Sequence, residues 1–283
     1  MPHESRYTAL PIRGSLASAY VVSLAVSMVV TVGSVYTLIA PTIAYPTKAL
    51  MRSFLSNDVV NLAIGLPALL VSMRLARRGD LLALLSWPGT LLYVLYNYLV
   101  PLLSLPLNTA FFLDFSAVAL SLYAIVRLVT SIDGAAVQEQ LAGAVHEGVG
   151  GAVLFGLGLL TFLRAAGVLV TSFHKPVPFS RTDLALSITD LLIAPAMAIG
   201  GVLLWRRKAL GYAVGLGLLF QVSMLFIGLI LFMSLQPRMA GAPFALIDVV
   251  VVASVGLVAF IPLGLFVRGA TARADRTRLE GIR

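Results

Sequence analysis

Apolar residues run in long blocks along this chain, and short polar stretches separate them. Eight blocks stand out, at 16–40, 58–76, 81–103, 107–128, 148–169, 182–205, 210–235 and 243–267. Each holds 19 to 26 residues, and about 20 residues rising 1.5 Å apiece cross the roughly 30 Å of a bilayer core. A membrane-spanning strand would alternate polar and apolar at every second residue. These blocks are apolar on every face, so helices are predicted. The expected fold is an all-α integral membrane protein with eight transmembrane helices, read as a multi-pass protein of the cell membrane.

Composition agrees. Of 283 residues 59% are hydrophobic and 11% are charged, where a soluble domain carries about 25% charge. The charges that remain set an orientation. Fourteen of the twenty basic residues fall in segments that lie on one side if the N-terminus is cytoplasmic, five fall on the other, and Arg164 lies within a span. The positive-inside rule therefore places both termini in the cytoplasm. The net charge of +8 sits beside anionic lipid headgroups, so the bilayer is the expected partner and no nucleic acid is needed. The N-terminal stretch "MPHESRYTALPIRGS" is polar, and the block after it exceeds a signal-peptide core, so the first span is expected to be retained. There is no cysteine and only His3, His146 and His174. Disulfides and thiolate chemistry are excluded, metal or haem ligation is disfavoured, and no cofactor is expected.

The chain also repeats itself. Asp114 in "AFFLDFSAVALSL" and Asp248 in "FALIDVVVVASVG" are 134 residues apart, each near the start of a block. "LPALLVSMRLARRG" and "APAMAIGGVLLWRRK" each close a block, with Arg77–Arg78 and Arg206–Arg207 offset by 129 and Pro67 and Pro195 by 128. Four spans return a chain to its starting side, so two parallel four-helix repeats related by an axis along the membrane normal are predicted. The organisation is a first half at 1–130, a cytoplasmic linker at 131–146, a second half at 147–269 and an Arg-rich tail at 270–283. "GAAVQEQLAGAV" in the linker suits a short interfacial helix.

Counting inward from the span ends puts Asp114, Asp248, Asp190 and Arg164 in the outer half of the bilayer, with Tyr96 and Asn97 at a similar level. Gln221 is the deepest polar side chain. Ionisable groups at membrane depth are costly and are functional candidates by default. Three acids against one arginine call for protonation of a carboxyl, or for a proton, cation or small polar or basic solute to complete the site. Structural fastening is the alternative use of the same residues. Asp58, after Ser56 and Asn57, reads as a helix N-cap, and Asp183, three residues after Ser180, belongs to another capped start. "GVGGAVLFGLG" has the glycines of a nucleotide loop without its strand and reads as span packing. Gly211 and Gly215 also suit close helix packing, and Trp87–Pro88–Gly89 suits a kink. His146–Glu147 reads as loop. "TKALMRSF", at 47–54, reads as an amphipathic segment lying flat on the outer surface.

The pattern "NDVVNLAIGLPALL…RLARRG…LLSWPGTLLYVLYNY…PLN", at 57–108, resembles polytopic membrane proteins of prokaryotes that have no assigned activity. It covers about a fifth of the chain and implies no chemistry. The leading functional expectation is a small secondary transporter or conductance protein with an acidic polar site. The rivals are a non-catalytic binding, sensory or assembly protein holding a lipid or pigment, and a lipid-modifying enzyme using Asp114 and Asp248 as acid and base. The last requires those two carboxylates to reach one substrate.

Overall fold

The computed structural model describes residues 10–174, 180–241 and 244–280. His3, Arg6, Lys175 and Arg283, which the sequence reading used, lie outside the described residues. The helices are α1 (Ala17–Ile39), α2 (Pro41–Ala44), α3 (Lys48–Val60), α4 (Leu66–Arg77), α5 (Leu81–Ser104), α6 (Thr109–Ser131), α7 (Gly134–Leu141), α8 (Glu147–His174), α9 (Arg181–Trp205), α10 (Ala209–Ala240) and α11 (Leu246–Glu280). A π-helical turn, Asn61–Gly65, joins α3 to α4 without a break. No strand forms among the described residues.

Among the described residues seven units are long and apolar enough to cross a membrane: α1, the continuous α3–α4, α6, α8, α9, α10 and α11. Large aliphatic side chains stay exposed on their outer faces, as lipid contact requires; Met28 is 69% and Ile247 78% exposed. α5 occupies the third expected span and has the length, but Trp87, Pro88, Thr90, Tyr93, Asn97 and Tyr98 dilute its apolar content. It is nevertheless central, since fifteen of its 24 residues are buried. It packs against α4, α6, α9 and α10, while α10 packs against α3, α5, α9 and α11.

The second span starts ten residues earlier than its apolar block. Thr47 is the cap, its side chain accepting from the Leu50 amide at 3.2 Å, and "TKALMRSF" is the opening of the spanning helix rather than a separate surface segment. The N-cap reading of Asp58 is therefore wrong: Asp58 lies deep in α3 and is 5% exposed. Ser180 does cap α9, accepting from the Asp183 amide at 3.2 Å. The linker forms α7, which Asp133 caps through the amides of Ala135 and Ala136. Glu147 is not a solvated loop residue. It is buried, and its Oε1 accepts from the Tyr212 hydroxyl at 2.7 Å and the Gly143 amide at 3.0 Å, which ties the start of α8 to α10.

Two hairpins correspond at an offset of 128 residues, one fewer than the arginine pairs suggest. Gly79 and Arg207 both adopt left-handed backbone, with φ of 86° and 52°. Asp80 and Lys208 then stand at the N-cap positions of α5 and α10, of which only Asp80 caps through its side chain. The same offset joins Gly89 to Gly217, and these two touch: a Cβ on Gly89 would stand 1.9 Å from the Gly217 carbonyl oxygen. Gly89, which reads in sequence as part of a kink, is thus the point where α5 and α10 cross backbone to backbone. Two glycines of α8 act likewise. A Cβ on Gly151 would meet the Gly201 oxygen at 2.6 Å, and one on Gly158 the Ala198 amide nitrogen at 2.7 Å.

Candidate functional site: two cavities sharing an ion pair

The close α8–α9 crossing sets Arg164 on α8 beside Asp190 on α9. Running antiparallel from the Gly158–Ala198 contact, six residues up α8 reach Arg164 and eight back along α9 reach Asp190. Arg164 Nη2 donates to Asp190 Oδ2. The other oxygen, Oδ1, accepts from the Tyr96 hydroxyl of α5 at 2.8 Å. Asp190 is thereby covered, with its side chain 4% exposed, whereas Arg164 keeps 52% of its side chain open. The donors of Arg164 that Asp190 leaves free face a cavity.

Two cavities meet there. The larger has a volume of about 640 Å³ and runs between α3, α5, α8, α9 and α10, with Arg52, Asn57, Tyr93, Asn97 and Gln236 among its polar lining. It opens at the end of the bundle where α3 and α9 begin and α10 ends. The smaller, about 290 Å³, lies deeper and is lined by Asp190, Thr161, Gln221 and apolar side chains. Tyr96, Arg164, Leu225 and Leu229 belong to both. From Gln236 at the mouth to Gln221, α10 advances fifteen residues, roughly 22 Å of helix.

Some polar groups lining the cavities are left without protein partners. Gln221 is fully buried, and neither its Nε2 nor its Oε1 has a hydrogen-bond partner. The Tyr93 hydroxyl approaches Asn97 but makes no hydrogen bond of good geometry. Asn97 instead donates Nδ2 to the Tyr93 carbonyl at 2.9 Å, within its own helix. The π-helical turn stands behind Tyr93, where a Cβ on Gly65 would lie 3.0 Å from its ring.

The structure thus brings Asp190, Arg164, Tyr96 and Asn97 together and adds Arg52, Asn57 and Gln221. Asp114 and Asp248 are placed elsewhere. Asp248 sits in the first turn of α11 and is exposed. Asp114 is 7% exposed and lies in a separate cluster with Asp58. In that cluster Asp58 Oδ2 accepts from the Tyr45 hydroxyl at 2.6 Å and the Thr37 hydroxyl at 2.7 Å. Because α6 packs on α1 and α5 while α11 packs on α10 and α8, Asp114 and Asp248 occupy different flanks of the bundle. They do not form the acid–base couple that an enzymatic reading needs. The ionisable groups lining the cavities among the described residues are Arg52, Arg164 and Asp190, an excess of positive charge rather than negative.

Arg52 was hidden in the apparent surface segment. A signal was there: Asn57 and Asn61, and Tyr93 and Asn97, are each one helical turn apart, and such polar stripes mark a side turned away from lipid. Comparison with protein-family models, with curated proteins and with solved structures finds no match for this chain.

Proposed function

We propose that the protein is a small secondary carrier of the cell membrane, with two four-helix halves and α5 as an eighth crossing. It binds a small organic solute in the outer half of the bilayer. One observation carries this reading: a cavity open at one end of the bundle runs between the halves to the Arg164–Asp190 ion pair and then to an unpartnered amide. With the termini in the cytoplasm, that open end faces outward. The combined space lies within the range of ligand cavities, about 300–1,000 Å³. Below Gln221, the backbone contact of Gly89 with Gly217 shuts the path, which favours alternating access over an open pore.

The test is solute uptake in proteoliposomes. Uptake must saturate and must fall when Arg164→Gln removes the charged wall. Leak without saturation would support a conductance instead, and absence of any flux would sink the carrier reading. A rival is favoured by the apolar wall of the upper cavity, where Leu186, Leu229 and Phe232 stand: a protein that retains a lipid. Mass spectrometry after gentle purification decides that point by the presence of a bound lipid in stoichiometric amount.

A further inference from the structure

Resting on the carrier reading for its biological sense, but not for its chemistry, we propose that the deeper chamber binds an apolar α-amino acid as a zwitterion.

The chamber presents three polar devices to whatever fills it. Arg164 offers guanidinium donors that Asp190 does not use. Asp190 offers carboxylate oxygens with lone pairs beyond those taken by Arg164 and Tyr96. Gln221 offers one amide donor group and one amide acceptor, both unpartnered and fully buried. A plain anion would satisfy Arg164 and the Gln221 NH₂ while facing Asp190 and a bare carbonyl. A plain cation would do the reverse. A zwitterion satisfies all of them: its carboxylate accepts from Arg164 and Gln221 Nε2, and its ammonium donates to Asp190 and Gln221 Oε1. Arginine suits the carboxylate because its planar fork pairs with both oxygens.

Apart from the Tyr96 and Thr161 hydroxyls, the rest of the chamber is apolar. Leu157, Ile193, Met197, Val222 and Phe226 form its walls, which suits an aliphatic or aromatic side chain and presents no further charge to pair with a charged one. Its volume of about 290 Å³ equals that of about ten liquid water molecules, enough for an amino acid the size of leucine or methionine and too small for a two-chain lipid. The upper cavity, with Arg52 and Gln236 at its mouth, is then the entry route. Gln221 is the discriminating residue, because an amide without protein partners is a poor choice for helix packing, where a leucine would serve better.

The experiment is equilibrium binding of tritiated L-leucine and L-phenylalanine to the purified full chain in detergent. The competitors are 4-methylpentanoate, which lacks the ammonium, and 3-methylbutylamine, which lacks the carboxylate. Saturable binding is expected, with each competitor weaker than leucine by about tenfold or more, since each leaves buried partners unpaired. Gln221→Leu should weaken leucine binding by about tenfold or more while the melting temperature stays level or rises. A purely structural glutamine would instead show a lower melting temperature. Absence of saturable binding of both amino acids, equal affinity for either competitor, or undiminished binding by Gln221→Leu would each overturn the assignment. Binding without uptake in proteoliposomes would overturn the carrier reading and leave this one standing. Uptake of another solute by a protein that binds neither amino acid would do the opposite.

Discussion

Gly89→Ala is the most informative single substitution, because what it does to the α5–α10 crossing can be worked out in advance. The added Cβ would lie 1.9 Å from the Gly217 carbonyl oxygen, 2.5 Å from its carbonyl carbon and 2.7 Å from its Cα. Ordinary contact begins at 3.4 Å, so the helices must part by about 1.5 Å, and the obstacle is backbone that cannot rotate aside. Overpacking of this kind costs up to about 3 kcal/mol. Alanine returns about 1 kcal/mol of helix propensity, leaving a net loss of about 2 kcal/mol. At Gly217 the same methyl meets the Leu85 oxygen at 2.8 Å and the Gly89 nitrogen at 3.1 Å, a milder clash, so Gly217→Ala should lose no more than about 1 kcal/mol. Gly156 and Gly264 have open space around them, and alanine there should be neutral or stabilise by up to about 1 kcal/mol. Reversible unfolding in mixed micelles reads all four. Fluorescence of Trp87, which is fully buried and whose indole N–H donates to the Ser23 hydroxyl at 3.1 Å, gives the signal. Gly89→Ala as stable as the parent would refute the reasoning, because among the described residues no other glycine meets opposing backbone so closely.

Further outcomes follow from the other clusters. Asp58→Ala strands the Tyr45 hydroxyl and leaves Thr37 with the Ser34 carbonyl alone, and should cost about 1–3 kcal/mol in the same unfolding assay, whereas Asp114→Asn keeps the size of that buried side chain and should change stability little. Tyr212→Phe deletes the hydrogen bond that holds Glu147 and should lose about 1–3 kcal/mol, with raised hydrogen exchange at the α7–α8 junction. Arg13 donates to Asp133 at 2.9 Å and holds that carboxyl below its usual range. The contribution of this contact is therefore whole above the ordinary aspartate value near 4, fades as pH falls below it, and is gone below the lowered value. Amide exchange at Ala135 and Ala136 should quicken over that acid interval, and Arg13→Ala should move the transition up toward the ordinary value without reaching it, because the Ala135 and Ala136 amides still hold the carboxylate.

The sequence told depth better than direction. Counting residues along apolar blocks put Asp190, Arg164, Tyr96 and Asn97 at one level, and they do converge, because helix rise is fixed and count becomes height. Which way a residue faces around its helix is not encoded in a block that is apolar on all sides. So Asp114 and Asp248, alike in height, point into different neighbourhoods. The misreading of Asp58 had another cause: Ser56, Asn57 and Asp58 look like a cap, yet Thr47 caps the same helix further upstream. Arg52 went with it, read as surface because the segment's charges resemble an interfacial helix. Glycine content was visible throughout, but only the structure distinguishes Gly89 at a crossing from Gly156 in open space.

α5 has a consequence for how the protein is made. Its side chains Tyr93, Tyr96 and Asn97 are turned toward other helices and the cavity, yet during synthesis the helix meets lipid before α9 and α10 exist to shelter them. A segment of such mixed polarity enters the bilayer poorly alone. The short Arg78–Asp80 turn couples it to the apolar α4, with Arg74, Arg77 and Arg78 anchoring that end. The pair is thus expected to enter as a hairpin, with α5 the hesitant partner. Chains stalled at this step would expose the proposed solute site to lipid, so the residues to which binding is assigned would also slow assembly.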